Sequence, residues 1–462
     1  MTGLPIAFVC AGCGYQTPTD CRVPMRCPHA LTDDDIDHVM GRVLDIAGLR
    51  FPTNSEANPF IRYRTLFHAY HLSLARGWTD ADYVALVERL DAAVAAIDGR
   101  GFRVTPFERS DALSEELGFG RAGGVFVKDE TANVSGSHKA RHLMGTLLEL
   151  EVADALDLGA AAPGRLSIAS CGNAALAAAV LAAAAGRDLD VFIPADAHPA
   201  IVARLRALGA RLIVCEREAG VPGDPTYRRL RAAIDAGAVG FTCQGNLNGF
   251  AVEGGQTLGY ELATDLGSAG TTLDRLCIQV GGGALASSCI GGLAEARALG
   301  ATAADPHIHP VQSQAVAPLA RAHERLVHRL DTDAPTDDDI AWAAHHRSAY
   351  MWPWETEPHS IATGILDNET YDWLAVVRGT LASRGEPVVV DEPTLRDAND
   401  MARSTTGIDV DPTGSAGLAG LLDLRRHGLV GPDESVALIF SGIRRATEPG
   451  VDRPRIPVGG IR

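Results

Sequence analysis

Lys139 is the residue of this sequence whose side chain is best placed for covalent chemistry. It follows a short polar turn, Ser135-Gly136-Ser137, and lies near the start of a predicted helix. Helix-dipole ends and partial desolvation both favour the neutral amine, which is the form that makes a Schiff base. A lysine in a first helical turn is also a common solvated surface residue, so both interpretations stand on this loop alone.

A second loop, Ser170-Cys171-Gly172-Asn173, has the residue types of an anion-binding turn. Small residues before a helix let backbone N–H groups approach a carboxylate or a phosphate, and the helix dipole favours the negative charge. A simple helix N-cap by Ser170 or Asn173 explains the same residues equally well.

Two glycine-containing turns come later in the chain. Gly281-Gly282-Gly283 follows a predicted strand and permits the close backbone approach that a phosphate cradle needs. No Gly-Lys-Ser/Thr follows it and the full dinucleotide spacing is absent, so neither a P-loop nor a nicotinamide site is favoured. Ser441-Gly442 ends the last predicted strand with a hydroxyl group, which either faces the nitrogen of a bound ring or simply terminates the strand.

The elements that must position these loops are short apolar strands alternating with alanine-rich helices. Such alternation predicts an α/β fold with parallel sheets, whose ligands bind at the carboxyl ends of the strands. The predicted strands cover residues 125–128, 166–169, 191–193, 211–215, 276–280, 308–311, 387–390 and 436–440, and helices are predicted at 138–151, 174–185, 200–208, 254–266 and 415–427.

Residues 33–99 show a helical spacing of apolar residues instead. Ile36, Val39, Met40, Val43 and Leu44 recur at about 3.6 residues. The segment 83–97 has the same period, so both stretches are predicted to be helices. The aromatic and His-rich stretch 342–359 is interpreted either as a cover of the substrate pocket or as a packed surface excursion.

Residues 1–30 contain four cysteines, Cys10, Cys13, Cys21 and Cys27. The Cys-x2-Cys-Gly knuckle suits a tetrahedral structural zinc, and His29 is a further candidate ligand. The second pair has irregular spacing, so a degenerate site without metal is the alternative.

Charge and length exclude several classes of protein. A chain of 462 residues is too long to form a single hydrophobic core, so we expect two or three domains. A net charge of −17 argues against partners such as nucleic acid or an anionic membrane. No signal peptide or membrane-spanning run is recognised, and nine cysteines then indicate reduced thiols in the cytoplasm.

The order of the four loops resembles fold type II pyridoxal phosphate (PLP) enzymes, the tryptophan synthase β-like group. Segments 252–262, 360–368 and 411–420 resemble threonine synthases in particular, and the N-terminal cysteines resemble the zinc-ribbon-like start of some members. The likeness implies two parallel-sheet α/β domains and a homodimer. It implies a Cys-rich extension over 1–30, a large PLP-binding domain over 31–125 and 246–462, and a smaller domain over 126–245.

The resemblance also implies a role for each loop. Lys139 would hold PLP as a Schiff base and move the α-proton of the substrate. A neutral Ser441 at the pyridine nitrogen would favour elimination and replacement at the β-carbon over transamination. The other implied cofactor ligands are Asn173 for the 3-hydroxyl and Gly281, Gly282, Gly283, Ala284 and Leu285 for the phosphate. The implied ligands of the substrate carboxylate are Ser170, Cys171 and Gly172, assisted by Ser135 or Ser137.

Three departures from threonine synthases bear on the substrate. Ser137-His138-Lys139-Ala140-Arg141 stands in place of Ser-Phe-Lys-Asp-Arg, and Ala251 stands in place of a frequent phosphate-binding arginine. The C-terminal Thr-Gly-His-Gly is replaced by Ser441-Gly442-Ile443-Arg444. We therefore expect elimination or replacement on a small amino acid with a β leaving group, through an aminoacrylate. The alternatives are threonine synthase itself, a serine/threonine dehydratase, and a catalytically silent binding protein with this fold.

Overall fold

The computed structural model describes residues 4–18, 23–31, 34–158, 164–218, 220–221, 223–270, 272–330 and 336–445. Its strands are β1 (Ile6–Cys10), β2 (Met40–Leu44), β3 (Phe107–Arg109), β4 (Gly124–Asp129), β5 (Leu166–Ala169), β6 (Leu189–Pro194), β7 (Arg211–Cys215), β8 (Val239–Gly240), β9 (Arg275–Gln279), β10 (His307–Ser313), β11 (Val388–Val390) and β12 (Ser435–Phe440). Its helices are α1 (Pro59–Arg62), α2 (His68–Ala75), α3 (Asp80–Asp98), α4 (Asp111–Glu116), α5 (Lys139–Ala155), α6 (Asn173–Ala184), α7 (Pro199–Ala207), α8 (Pro225–Asp235), α9 (Phe250–Ala269), α10 (Ala284–Ala298), α11 (Pro318–Leu330), α12 (Asp337–Ala344), α13 (Trp373–Ala382), α14 (Glu392–Thr406) and α15 (Ala416–Arg426).

Two sheets organise the molecule, which confirms the predicted α/β class. The six-stranded sheet has the order β11-β10-β9-β12-β4-β3, parallel except for β3, and the four-stranded sheet has the parallel order β7-β6-β5-β8. All eight predicted strands are present, because a strand covered by helices on both faces is a continuous apolar run, as in β12, where every residue is buried.

Strand β4 immediately precedes the loop that carries Lys139. It pairs in parallel with β12 over six residues, from Gly124 opposite Ser435 to Asp129 opposite Phe440. It is therefore part of the six-stranded sheet, and the four-stranded sheet begins only at Leu166. The domain boundaries as such stay a prediction.

The predicted helix around residues 36–44 is wrong. Met40–Leu44 is the strand β2, paired antiparallel with β1 so that Met40 lies opposite Cys10. Val43, which the helical pattern placed on the buried face, is 55% exposed. The second predicted helix, over 83–97, is confirmed as α3, which begins with a capping box between Thr79 and Asp82.

Glycines let three helices around the lysine loop approach each other closely. A Cβ atom on Gly254 of α9 would lie 2.2 Å from the carbonyl oxygen of Arg141 and 2.9 Å from the nitrogen of Gly145, both on α5. A Cβ atom on Gly259 would lie 2.8 Å from the Cα atom of Gly292 on α10. The position of α5 is therefore set by backbone contact. Among the described residues, no helix combines the length and apolar character needed to cross a bilayer.

Replacing Gly254 by alanine tests this contact. Helix propensity alone favours alanine by about 1 kcal/mol, whereas the clash with α5 should produce a net loss of about 1–3 kcal/mol. We expect a lower urea midpoint of unfolding for Gly254→Ala. The control is Gly431→Ala, whose Cβ atom would find its nearest neighbour at 3.9 Å, and equal midpoints for the two variants would contradict the packing argument.

Candidate active site

The first and fourth loops are hydrogen-bonded to each other. The backbone N–H of His138 donates to the carbonyl oxygen of Ser441 at 3.0 Å, and its Nδ1 lies 3.0 Å from the same oxygen. Ser137 forms an antiparallel bridge with Gly442. A carbonyl oxygen only accepts, so Nδ1 of His138 carries the proton. Burial lowers the pKa of His138 well below its ordinary value, which leaves the ring next to Lys139 neutral.

The chain has only two lysines, and they differ sharply in environment. Lys128 is completely buried, and its Nζ lies 2.7 Å from Glu261 Oε2 and 2.6 Å from the carbonyl oxygen of Thr105. Lys139 is the first residue of α5 and is partly exposed. Within the residues that the structure describes, its amine makes no hydrogen bond and no ion pair. Lys139 is therefore the lysine whose amine is available to a carbonyl compound.

Three titratable side chains that the sequence analysis missed share the surroundings of Lys139. Desolvation raises the pKa of Asp367 to about 6 and that of Asp372 to about 7, and the nearby charge of Lys139 opposes both shifts. Burial also raises the pKa of the Cys243 thiol to about 11. The amine of Lys139 thus lies near two buried carboxyl groups whose pKa values are close to neutral pH. Nothing in the sequence indicated this, since Asp367 and Asp372 precede a helix far along the chain.

The glycine turn faces this acidic segment. Thr370 Oγ1 donates to the carbonyl oxygen of Gly281 at 2.9 Å, and the N–H of Asp372 donates to that of Gly282 at 3.1 Å. Gly283 has φ +99°, and a Cβ atom there would lie 2.9 Å from Thr370, so glycine is required.

A carboxylate lies against the same turn. The backbone N–H of Gly282 lowers the pKa of Asp367 against the larger effect of burial, and a Cβ atom on Gly281 would lie 2.4 Å from Asp367 Oδ2. The predicted ligands Ala284 and Leu285 open α10, whose first turn has no side-chain cap. Uncapped N–H groups at a helix start fit the phosphate of PLP.

Asn173 joins the second loop to the fourth. Its Nδ2 donates to Asp411 Oδ2 at 3.2 Å, and its Oδ1 accepts from Arg445 at 3.0 and 3.2 Å. A Cβ atom on Gly442 would lie 2.8 Å from the Asn173 amide. Burial raises the pKa of Asp411 to about 6. Asp411 and Arg445 are further residues of the site that the sequence analysis did not identify.

The hydroxyl group of Ser441 is oriented by Gln279 on β9. Nε2 of Gln279 donates to the backbone oxygens of Gly414 at 3.1 Å and Ile439 at 3.0 Å. Because carbonyl oxygens only accept, the atom that faces them must be the NH2 group of the amide and not its oxygen. The same nitrogen lies 2.6 Å from Ser441 Oγ, so the serine oxygen accepts. The Ser441 proton is left free to be donated to a ring nitrogen.

The predicted carboxylate ligands fall into two groups. Ser135 and Ser137 are buried, and their hydroxyl oxygens have no hydrogen-bond partner among the described residues. A buried hydroxyl without a partner costs about 1–3 kcal/mol, which is typical of a position completed by a ligand. Ser170, Cys171 and Gly172 are more exposed, and Ser170 Oγ accepts from the N–H of Gly172 at 3.3 Å.

The stretch 342–359 packs behind the acidic segment. The N–H of Trp354 donates to the carbonyl oxygen of Asn368 at 2.9 Å, and Arg347 forms an ion pair with Glu369 at 2.5 Å. Arg321 stacks on the ring of Trp352 at 3.6 Å from its centroid. This stretch therefore supports the segment that faces the glycine turn.

The predicted metal ligands form a second, N-terminal cluster. Cys10, Cys13 and Cys27 lie together with His38, which the sequence analysis did not name. The fourth predicted ligand, Cys21, lies outside the described residues.

Comparison with known proteins agrees with this arrangement. The family described as "pyridoxal-phosphate dependent enzyme" matches residues 100–442, roughly three quarters of the chain. Threonine synthase of Methanosarcina acetivorans is 27% identical over 340 residues, 73% of this chain and 74% of that protein. Cysteate synthase of Methanoregula boonei is 26% identical over 347 residues, 72% of this chain and 73% of that protein.

Solved structures show the same fold. A threonine deaminase from T.th. superposes with a TM-score of 0.55 at 22% identity, covering 79% of this chain and 99% of that chain. Maize serine racemase superposes with a TM-score of 0.54 at 19% identity, covering 77% and 92%. With the fold, the loop order and the family match in agreement, the chain belongs to the fold type II family of pyridoxal-phosphate-dependent enzymes.

Proposed function

We propose that Lys139 holds PLP covalently and that the enzyme catalyses elimination or replacement at the β-carbon of a small amino acid. The observation that carries this proposal is the contrast between the two lysines. Lys128 is buried in an ion pair, whereas the amine of Lys139 is unengaged among the described residues. An amine that forms a Schiff base must be neutral and accessible, and Lys139 alone meets the second condition.

Each loop has a task that its own geometry supports. The N–H groups of the glycine turn and of the start of α10 hold the phosphate. The amide of Asn173, which donates to Asp411 and lies next to Gly442, binds the 3-hydroxyl group of the cofactor. Bound PLP supplies the electron sink for charge that develops at the α-carbon of the substrate. The amine of Lys139 moves the α-proton, and the unpartnered hydroxyl groups of Ser135 and Ser137 bind the substrate carboxylate.

The hydrogen bond from Gln279 to Ser441 supports β-carbon chemistry. Because Ser441 Oγ accepts from the amide, its own proton would be available to the ring nitrogen of bound PLP. A carboxylate would keep the pyridine nitrogen of PLP protonated, whereas a neutral serine would not. The PLP ring would therefore withdraw electrons from the substrate only moderately. A moderate sink favours loss of a β leaving group over transamination.

The charges around the site favour a substrate without a phosphate group. Asp367 and Asp372 lie close enough to Lys139 for its charge to act on both carboxyl groups. Ala251 is fully buried at the start of α9, and its carbonyl oxygen lies 2.8 Å from Nδ1 of His142. Position 251 therefore has no positively charged side chain that could bind a substrate phosphate. Threonine synthase, which uses O-phosphohomoserine, is therefore the alternative, together with a serine/threonine dehydratase. The cytoplasmic location and the homodimer stay predictions.

Reductive trapping tests the role of Lys139. Borohydride treatment of the PLP-loaded enzyme should add the reduced cofactor to the peptide that contains Lys139 and leave the Lys128 peptide unmodified. Mass spectrometry of a digest separates the two, and Lys139→Ala should lose both the modification and the visible absorption band of the bound cofactor. Modification of Lys128, or a colourless wild-type protein that ignores added PLP, would overturn the assignment.

Asp367 predicts a pH dependence of cofactor affinity. Its carboxyl group occupies the glycine turn and has a pKa of about 6, so above this pH its charge opposes a phosphate at the same N–H groups. Asp367→Asn keeps the acceptor without the charge. The ratio of PLP affinity, variant to wild type, should rise from near unity at low pH to about tenfold at alkaline pH, equivalent to one pKa unit.

Equilibrium dialysis of PLP against both proteins at several pH values measures this ratio. Normalising the variant to the wild type cancels the titration of the cofactor phosphate. The exposed Asp400→Asn serves as the control and should show a constant ratio. A constant ratio for Asp367→Asn would show that the charge of Asp367 does not act on the phosphate of PLP at the glycine turn.

A substrate panel separates the proposed reaction from its alternatives. We expect spectral changes and keto-acid or replacement products with serine-type amino acids that carry a β leaving group, and no phosphate release from O-phosphohomoserine. Phosphate release with formation of threonine would identify threonine synthase instead. Bound PLP whose spectrum no amino acid changes would favour a catalytically silent protein.

A further inference from the structure

A cluster of three thiols and one imidazole lies in the N-terminal ribbon of β1 and β2. One ligand atom from each of Cys10, Cys13, Cys27 and His38 lies within 4.8 Å of every other. Cys10 and Cys27 are completely buried, His38 is 8% exposed and Cys13 is partly exposed.

The spacing of these atoms matches the edges of a metal-centred tetrahedron. Zinc binds sulfur at about 2.3 Å and nitrogen at about 2.0 Å, which places two sulfurs about 3.8 Å apart and a sulfur and a nitrogen about 3.6 Å apart. The distance between the Sγ atoms of Cys13 and Cys27 is 3.6 Å, and the distance from Cys10 Sγ to His38 Nδ1 is 3.4 Å. Two edges of the cluster therefore already have the length that a bound zinc requires, and the other ligand atoms lie within 4.8 Å of one another.

The imidazole of His38 is held in the tautomer that a metal needs. Its Nε2 lies 3.0 Å from Asp34 Oδ2, and a carboxylate only accepts, so Nε2 carries the proton. Nδ1 is left with its lone pair directed to the cluster. A carboxylate behind a metal-binding histidine is the usual second layer of a zinc site, because it fixes the ring and raises its basicity.

The backbone around the first pair of cysteines is closely held. The N–H of Cys10 donates to the carbonyl oxygen of Tyr15 at 2.8 Å, and the N–H of Gly14 donates to the carbonyl oxygen of Cys10 at 3.0 Å. Gly12 cannot be replaced without moving the ribbon, since a Cβ atom there would lie 2.6 Å from the carbonyl oxygen of Asp37.

We infer that Cys10, Cys13, Cys27 and His38 bind one structural zinc ion, with His38 as the fourth ligand in place of Cys21 and Asp34 as its second-layer partner. Four protein ligands close the coordination sphere, so the ion has no open position for a substrate. The inference does not depend on the proposed reaction.

Metal content and cobalt spectra test the ligand set. Wild-type protein stripped with a chelator should take up one zinc per chain, measured by elemental mass spectrometry, and His38→Ala should take up none. Cys21→Ser and His29→Ala should keep one zinc per chain. Loss of zinc in Cys21→Ser with retention in His38→Ala, or a wild-type chain that binds no metal, would overturn the inference.

A second variant keeps the test informative if His38→Ala fails to fold. His38→Cys offers a fourth thiolate, so it should bind one Co²⁺ per chain with tetrahedral d–d bands and a sulfur-to-metal charge-transfer band about one third stronger than in the wild type. The same intensity in both proteins would mean that His38 is not a ligand. Far-UV circular dichroism verifies that each variant is folded.

Discussion

A buried network of two bases and two acids lies directly behind Lys139, and the placement of the amine depends on it. Arg141, two residues further along α5, donates to Glu130 at 2.8 and 2.9 Å and to Glu261 at 2.6 and 3.2 Å. Lys128 pairs with the same Glu261, and all four side chains are excluded from solvent. Burial works against the charge of Glu261, but Arg141 and Lys128 hold its pKa below the ordinary value. Removing one member leaves an uncompensated charge at a cost of about 3–5 kcal/mol.

This network also explains why the two lysines have separate tasks. Lys128 neutralises a carboxylate inside the protein, and its amine is unavailable to any carbonyl compound. Arg141 fixes the first turn of α5, so Lys139 lies on a helical turn that is anchored two residues away. The close approach of Gly254 to Arg141 then places α9 against the same turn. One buried set of charges therefore positions Lys139 and occupies Lys128, the other lysine of the chain.

The sequence predicted the strand that precedes each of the four loops, because each strand is a local apolar run. Lys139, Asn173, the glycine turn and Ser441 could be named as candidates for this reason, and their roles stay predictions. Asp367 and Asp372 could not be named, since the segment before α13 meets the glycine turn only in the folded chain. Gln279 could not be named either, since its contact with Ser441 arises only when β9 and β12 lie side by side. The strand β2 was missed for a related reason. Its apolar spacing has a helical period, and its partner, β1, lies thirty residues earlier.

The N-terminal segment contacts the stretch behind the active site through several residues, among them Asp35 and Asp37. Asp37, next to the metal-site histidine, accepts from Arg347 at 3.2 Å, and its N–H donates to the carbonyl oxygen of Ala344 at 2.7 Å. Arg347 in turn pairs with Glu369 in the segment that faces the glycine turn. The charge of Asp37 also contributes to the raised pKa of Asp372. The N-terminal segment therefore holds Asp37 in a position that supports the segment of Asp367 and Asp372. A metal ion that stabilises the N-terminal segment would support the proposed cofactor site without taking part in the reaction.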